Sequence, residues 1–163
     1  MALGLRDQFK KDLAFGKKAE EIVFNYFSSI DDKHTYIDVS DKSYYYHLGD
    51  IIAVDKETKE QILIEVKNDS CIHRTGNVVC EEWVHYKSTG QTKNGNIHNN
   101  NNIYIVVSQE QRKIYVMDMK VLKRIYLNGR YKEFDYAHQA SGCYLVSLDY
   151  IRANGGLIAI LDY

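Results

Sequence analysis

The sequence is short of several features that would assign a protein to a class at once. Its three cysteines stand far apart and form no CxxC pair, which argues against a disulfide framework or a zinc site and favours reduced thiols. The apolar runs are only a few residues long, so no membrane span is predicted. The opening segment, MALGLRDQFKKDL, has no uninterrupted apolar stretch of the kind found in secretion signals. We therefore expect a cytoplasmic protein that does not enter a membrane.

An excess of charge of one sign is also absent, because the formal net charge at pH 7 is −1. This balance argues against a protein that coats nucleic acid by bulk electrostatics, although it allows a local basic groove. The GxSxG elbow, the GxxxxGK[ST] loop and histidines at metal-binding helical spacing are missing as well. Their absence disfavours serine–histidine–acid chemistry and nucleotide hydrolysis by a P-loop.

What the chain does contain is the composition of a globular domain. With 163 residues, 45% of them hydrophobic, we predict a single domain over residues 1–163. Apolar residues recur every three or four positions from Asp12 to Ser29, which indicates an amphipathic helix. The segments with strand character are 35–39, 45–55, 60–67, 103–108, 112–119, 143–147 and 156–161, with short helices near 118–127 and Asp149. Residues 78–84 fit either a strand or a helix, and the order predicts an α/β (α+β) fold with a central mixed sheet flanked by helices.

The stretch GDIIAVDKETKEQILIEVK, residues 49–67, has the pattern of two strands joined by a short polar turn. Side chains two apart in a strand share a face, so Glu65 and Lys67 point the same way, and the hairpin brings Asp50 beside them. Two carboxylates at one end of a sheet repel each other unless a cation lies between them, and their oxygens favour Mg²⁺ (or Mn²⁺). A neighbouring lysine can orient a water or stabilise charge on a phosphate, so the group suits phosphodiester hydrolysis.

A structural interpretation of the same residues is open too, because strand hairpins often carry solvated cross-strand pairs of acidic and basic residues. Glu20, in the first helix, favours the metal site. It borders the apolar face near Val23 and Phe24, where a carboxylate is costly unless a metal or its water meets it. The alternative for Glu20 alone is an ordinary helix edge.

The order of a glutamate helix, a strand, a strand opened by Asp50 and a strand ending in Glu65-Val66-Lys67 resembles the PD-(D/E)xK nuclease superfamily, over residues 12–108. The resemblance implies a restriction-endonuclease-like core, in which a helix is followed by a three-stranded meander, a further helix and a fourth strand. It also implies that Asp50, Glu65, the Val66 backbone carbonyl and Glu20 hold the metal. Asp50, Glu65, Lys67 and Glu20 are then the expected catalytic residues.

Some phage and bacterial members of that superfamily have a TGN-type turn that leads to another acidic residue. The run RTGNVVCEE looks like this segment, so Asn77 and Glu81 would flank the site and Arg74 would lie near a phosphate. A solvated turn before a strand is the alternative for these three residues.

The chain departs from the superfamily pattern in two places. Gly49 stands where a proline often precedes the aspartate, which is a variation that the superfamily shows. Asn101 and Asn102 stand where an Ala-Asp pair often leads into the fourth strand. The second departure weakens the case for a role at that position, but not the case for the metal centre.

Basic residues outside the hairpin are candidates for holding a phosphate backbone. We name Lys17 in the first helix and Lys87 and Lys93 in the asparagine-rich segment 87–102. We expect that segment to be a mobile surface loop that contacts DNA. The alternative is a disordered loop tip without a function. A second basic region, which is either a solvated face or a further phosphate contact, contains Lys120, Lys123, Arg124, Arg130 and Lys132.

Together these features predict a magnesium-dependent DNA endonuclease. Two alternatives are a nucleic-acid-binding module that does not cleave and an interaction domain whose ExK hairpin arose by chance. Cleavage of both strands of a duplex by one small site would suggest a homodimer.

Overall fold

The computed structural model of the protein describes residues 5–42, 44, 48–86, 90–135 and 141–163. Within these ranges, ten strands form two sheets, and helices pack beside them. The larger sheet has six strands and contains both parallel and antiparallel neighbours. The mixed α+β class expected from the sequence is therefore confirmed.

The strands alternate irregularly with the helices along the chain. In chain order they are β1 (His34–Asp38), β2 (Ile51–Asp55), β3 (Gln61–Asn68), β4 (Asn77–Tyr86), β5 (Gln91–Asn94), β6 (Ile103–Ser108), β7 (Lys113–Asp118), β8 (Lys132–Asp135), β9 (Ser141–Ser147) and β10 (Leu157–Asp162). The helices are α1 (Leu5–Ile30), α2 (Ile72–Thr75), α3 (Met119–Leu127) and α4 (Leu148–Ala153).

The first sheet has the strand order β1-β2-β3-β6-β7-β10. Its strands β1, β2 and β3 form an antiparallel meander, and β6 then joins β3 in parallel. This is the expected order of a helix, a three-stranded meander and a fourth strand. The expected further helix is only the four-residue α2, and β4 and β5 of the second sheet follow it before β6. The second sheet, in the order β5-β4-β9-β8, is wholly antiparallel.

Strand β3 has a different environment on each face. Ile64 and Val66 pack with Ala19 and Val23 of α1, and both α1 side chains are fully buried. Complete burial of a valine side chain stabilises a fold by roughly 1.5–3 kcal/mol, so this contact fixes α1 on the sheet. Glu65, between the two apolar residues, points to the opposite face.

The turn between β2 and β3 fixes the register of the hairpin. The Asp55 carboxylate accepts hydrogen bonds from the backbone N–H groups of Glu57 (2.8 Å) and Thr58 (2.9 Å). The same carboxylate pairs with Lys33 at 3.0 Å. With the turn held in this way, Ile51 lies opposite Ile64, and the beginning of β2 lies beside the end of β3.

The two sheets share an apolar core. Tyr104 and Met117 of the first sheet pack in one cluster with Val78 and Tyr144 of the second and with Leu122 of α3. The Tyr104 hydroxyl donates a hydrogen bond of 2.7 Å to the Val79 carbonyl. The second sheet is therefore fixed against the face of the first sheet that carries Glu65.

The expectation of a surface loop over residues 87–102 is wrong for the part that the structure describes, residues 90–102. Residues 91–94 form β5, which pairs with β4. Asn96, Ile97 and Asn101 are almost fully buried, at 3%, 2% and 5% exposure. We call residues 95–102 the return segment, because they lead the chain from β5 back to β6. Burial of Asn96 is tolerated because both ends of its amide have hydrogen-bond partners, whereas Asn101 has a partner for its Nδ2 group but none for its Oδ1 atom.

Other differences from expectation are smaller. The first helix begins at Leu5 rather than Asp12, and the ambiguous segment 78–84 belongs to strand β4. The second strand begins at Ile51, while residues 45–47 of the expected strand lie outside the described residues. Over the described ranges, the helices are all too short or too polar to cross a membrane.

Candidate active site

Asp50 is held at the start of β2 by both its backbone and its side chain. Its N–H donates to the Ile64 carbonyl at 2.9 Å, and its carboxylate accepts a 2.8 Å hydrogen bond from the Val66 N–H. The preceding residue, Gly49, has a φ of +91°, and a Cβ there would lie 2.5 Å from the Ile64 carbonyl oxygen. Glycine is therefore required before Asp50, because any other residue would push the two strands apart.

Glu65 and Lys67 form an ion pair at the end of β3. The Lys67 Nζ lies 2.8 Å from Glu65 Oε1. Glu65 is 6% exposed, whereas about a third of the Lys67 side chain, 35%, is accessible to solvent. The pair is thus anchored inside the protein by Glu65, and part of the Lys67 side chain reaches solvent.

The return segment supplies an amide to each of two carboxylates. Asn101 Nδ2 donates to Glu65 Oε2 at 2.9 Å, which leaves Oε1 to Lys67. Asn96 Oδ1 accepts from the Glu81 N–H at 3.0 Å, and its Nδ2 lies 3.4 Å from Glu81 Oε2. Sequence reasoning missed both asparagines, because in an asparagine-rich run nothing distinguishes a buried amide from an exposed one.

Glu81 completes the group of charges. It lies on β4, and its Oε2 is 3.7 Å from Lys67 Nζ, so the ammonium group sits between Glu65 and Glu81. Asp50, Glu65, Lys67 and Glu81 all line one cavity of about 100 Å³. The second sheet therefore contributes a third carboxylate to this cavity.

The electrostatics of the cavity follow from three carboxylates around one ammonium group. Burial, followed by the charge of Glu65, raises the pKa of Asp50 from 3.8 to about 7. Burial alone would lower the pKa of Lys67, but the charges of Glu65, Glu81 and Asp50 outweigh it and raise that pKa well above 10.5. Lys67 is thus a permanent cation, whereas the negative charge of Asp50 is not fully compensated by its surroundings.

Glu20 lies on α1, where it lines a separate cavity with Lys17 and Asp41 but is near enough for its charge to act on Asp50. Burial raises its pKa, while a hydrogen bond from Ser40 and the charge of Lys17 lower it. Lys17 Nζ is 3.8 Å from Glu20 Oε2, and that buried oxygen has no hydrogen-bond partner. Lys17 also pairs with Asp41 on the other side. The unpartnered oxygen of Glu20 is a position that a bound water could satisfy.

The donor set fits a divalent metal ion that retains part of its water. Among the described residues, no three histidine, cysteine, aspartate or glutamate side chains converge closely enough to enclose an ion. Mg²⁺ is usually bound by one or two carboxylates and several waters, which matches Asp50 and Glu65 at the wall of a cavity. The under-compensated charge of Asp50 favours a cation at the same place.

The remaining expected residues lie elsewhere or outside the described part. Arg74 donates to the Cys71 sulfur at 3.1 Å, and Asn77 bonds back to the Thr75 carbonyl at 3.0 Å and lines a different cavity. The structure thus does not bring either of them to Asp50. Lys93 is exposed on β5, opposite Val84, which lines the site cavity. Lys87 lies outside the described residues.

Comparison with known proteins gave one structural similarity. The solved structure is a nuclease from a fusselovirus, with a TM-score of 0.44 and 9% sequence identity, over 92% of this chain and 88% of that chain. No family model matches the sequence, and no curated protein matches it. The case for a function therefore depends on the chemistry of the site.

Proposed function

We propose that the protein is a metal-dependent nuclease of the PD-(D/E)xK type that hydrolyses phosphodiester bonds in DNA. The observation that carries the proposal is the convergence of Asp50, Glu65 and Lys67 on one cavity at the end of a buried hairpin. A chance arrangement of charges on a solvated strand would leave the pKa of its carboxylate near the ordinary value. Asp50 instead has a pKa raised to about 7.

Each residue has a role that follows from its position. Asp50 and Glu65 would hold Mg²⁺ or Mn²⁺, with the Val66 carbonyl as a further ligand and Glu20 acting through a water. When bound, such an ion supplies Lewis-acid polarisation of the scissile phosphate and a more acidic water. Lys67 stays protonated and would stabilise the negative charge that develops on the phosphate. Glu81 keeps the ammonium group of Lys67 in place from the other side.

The first alternative is a nucleic-acid-binding module that does not cleave. Binding alone needs cations that face solvent, whereas three carboxylates around one lysine repel a phosphate backbone unless a metal compensates for them. The second alternative, an interaction domain with an accidental ExK hairpin, does not explain why two buried asparagines hold Glu65 and Glu81. Both alternatives predict that DNA is not cleaved, with or without a divalent ion.

The test is incubation of the purified protein with plasmid, linear and branched DNA, in Mg²⁺, in Mn²⁺ and in a chelator. We expect cleavage that depends on the metal and that falls by at least about a hundredfold in Glu65→Gln and in Lys67→Ala. Glu57→Gln, an exposed change in the turn of the same hairpin, is the matched control and should cleave as the parent does.

Cleavage that survives both Glu65→Gln and Lys67→Ala would contradict the site. Binding of DNA without cleavage under any metal condition would favour the non-cleaving module. We also propose that two copies act together on a duplex, because one site cuts one strand. Sedimentation of the protein with and without duplex DNA tests this, and a monomer on the DNA would exclude it.

A further inference from the structure

The second sheet has one face that packs in the shared core and one that does not; the second face carries Glu81 and borders the candidate active site. Val78 and Cys80 of β4 and Tyr144 and Val146 of β9 are buried in that core. The residues that alternate with them point to the opposite side, which we call the outer face. In the observed register, Val79 of β4 lies opposite Leu145 of β9, and Leu145 lies opposite Lys132 of β8.

The outer face ends in a basic groove. A cavity of about 520 Å³ is lined by Arg130, Lys132, Tyr131, Tyr150 and Leu145, among others. Within the described part of the chain, no carboxylate lines this cavity. Of the neighbouring acids, Glu133 alternates with Lys132 and so faces the other way, and Asp149 is paired with Arg152 at 2.8 Å.

The two cations of the groove have no counter-charge in the described ranges. Arg130 and Lys132 are exposed, and neither forms a side-chain hydrogen bond or an ion pair with a described residue. Beside them Tyr150 is 39% exposed, so its ring is accessible from the groove. Uncompensated cations next to an accessible aromatic ring are the chemistry of a nucleic-acid strand site.

The groove and the candidate active site lie next to each other across the second sheet, as two separate cavities. Leu145 lines the groove, and its partner across the strands, Val79, lines a second cavity of about 320 Å³. That second cavity also contains Lys67 and Glu81. Neighbouring strands are about 4.8 Å apart, so Lys132 on β8 lies about 10 Å across the sheet from Val79 on β4. A few nucleotides of an extended strand would reach from one to the other.

We infer that this outer face binds a single-stranded segment of the nucleic acid that leads away from the scissile phosphate. The inference deepens the proposed function, and it rests on that function for the identity of the polymer. Bases of an unpaired strand can lie on Tyr150, Leu145 and Val79, while Arg130 and Lys132 hold the phosphates. A duplex hides its base faces and would gain nothing from the aromatic and apolar floor. The substrate class is therefore nucleic acid with an unpaired segment beside the cleavage point.

The experiment measures binding in a chelator, so that cleavage does not interfere. The probes are a fluorescein-labelled oligothymidylate and a labelled duplex of the same length. The variants are the double change Arg130→Ala with Lys132→Ala, and the single changes Tyr150→Ala and Tyr150→Phe. The matched control removes two exposed lysines from α1, as Lys11→Ala with Lys18→Ala.

We expect the wild-type protein to bind the oligothymidylate more tightly than the duplex. The groove double variant should bind it about tenfold more weakly, and the slope of log K against log salt should fall by about 1.4, at about 0.7 for each lost phosphate contact. Tyr150→Ala should lose about tenfold, whereas Tyr150→Phe, which keeps the ring, should bind as the wild type does. The α1 control should leave the affinity for the oligothymidylate unchanged.

Three results would overturn the inference: equal binding by the groove variant and the α1 control, tighter binding of the duplex, or equal losses for Tyr150→Ala and Tyr150→Phe. The outcome is separable from that of the proposed function. If the wild-type protein cleaves no substrate but the groove variant loses its binding to the oligothymidylate, the inference is retained and the nuclease proposal is rejected. Metal-dependent cleavage of unpaired substrates at the wild-type rate by the groove variant would retain the nuclease and reject the inference.

Discussion

At the scale of single residues, the site depends on amide groups that hold carboxylates. A buried carboxylate without donors is costly, and Glu65 is 6% exposed. Asn101 gives one oxygen of Glu65 a hydrogen bond and leaves the other to Lys67. The amide carries no charge, so it fixes the carboxylate without neutralising it. Glu65 thereby keeps its charge for the ion pair with Lys67.

The first prediction concerns this amide. Asn101→Ala removes the donor to Glu65 Oε2 and leaves a buried oxygen unsatisfied, so we expect a loss of about 1–3 kcal/mol of stability. We also expect metal affinity or activity to fall by about 10–100-fold, because the carboxylate is no longer oriented. Urea unfolding and metal titration of cleavage measure the two effects. Asn100→Ala, an exposed neighbour, is the control, and equal effects in both variants would contradict the role of Asn101.

The second prediction concerns the charge of Asp50. Its folded pKa of about 7 lies above the ordinary 3.8, so between these values the unfolded chain releases a proton that the folded protein keeps. Without metal, stability from this group is fully present below pH 3.8, falls as the pH rises to about 7 and is then constant. The Asp50→Asn side chain does not ionise, so the variant does not lose stability in this way. Its free energy of unfolding minus that of the wild type should therefore increase between pH 3.8 and pH 7, by at most about 4 kcal/mol.

Urea unfolding in a chelator, repeated from pH 4 to pH 8, measures that difference. Asp32→Asn, an exposed change, should show no such trend. A constant difference between Asp50→Asn and the wild type at every pH would contradict a raised pKa. Added Mg²⁺ should stabilise the wild type above pH 7 and leave Asp50→Asn largely unaffected.

At the scale of secondary structure, the return segment brings the two sheets to one site. Its Asn96 bonds to Glu81 on β4, and its Asn102 bonds to the Leu63 N–H of β3 at 2.8 Å. Gly95 begins the segment directly against β4, where a Cβ would lie 2.2 Å from the Glu81 carbonyl oxygen. The path of the chain at this point thus requires the smallest residue.

The third prediction compares two glycines. Gly95→Ala should be strongly destabilising, by about 3 kcal/mol, because β4 or the return segment must move. Gly16→Ala, in the middle of α1 with no atom within 4 Å of the added Cβ, should stabilise the protein by about 1 kcal/mol. Thermal unfolding of both variants measures the contrast. A neutral Gly95→Ala would contradict the close contact with Glu81.

The order of elements could be predicted from the sequence, because apolar periodicity reports which face of an element is buried. It predicted α1, the β2–β3 hairpin and the approach of Asp50 to Glu65 and Lys67. It failed over residues 90–102, because the partners that allow Asn101 to be buried are 36 residues distant in the chain. Short polar strands such as β5 and β8 also lack the apolar alternation on which such reasoning depends.

At the scale of the whole molecule, the two sheets share one buried cluster. Their shared cluster includes Tyr104 from the first sheet and Tyr144 from the second, and both are almost fully buried. The Tyr104 hydroxyl bridges the sheets, since it donates to Val79 and accepts from Asn96 at 3.3 Å. Neither sheet could keep its apolar face covered if the other unfolded.

The fourth prediction follows from that cluster. Trp83, the chain's single tryptophan, lies on β4, and its indole packs against Gly142 of the second sheet. We expect its fluorescence and the far-UV circular dichroism of the whole chain to show one coincident transition in urea. Tyr104→Phe should lower both midpoints equally, through a loss of about 1 kcal/mol. Two separate transitions would contradict a shared core.

The parallel pairing of β3 with β6 also determines the order in which the parts of the site form during translation. Asp50 and Glu65 belong to one hairpin that a nascent chain can form early, but Asn101 reaches Glu65 only after a further 36 residues have been made. Closing so long a loop is slow compared with forming a local hairpin. A nascent chain that has reached β3 but not the return segment therefore contains Asp50 and Glu65 without the Asn101 amide that orients Glu65. The complete candidate site would therefore form late in translation, after Asn101 has emerged from the ribosome.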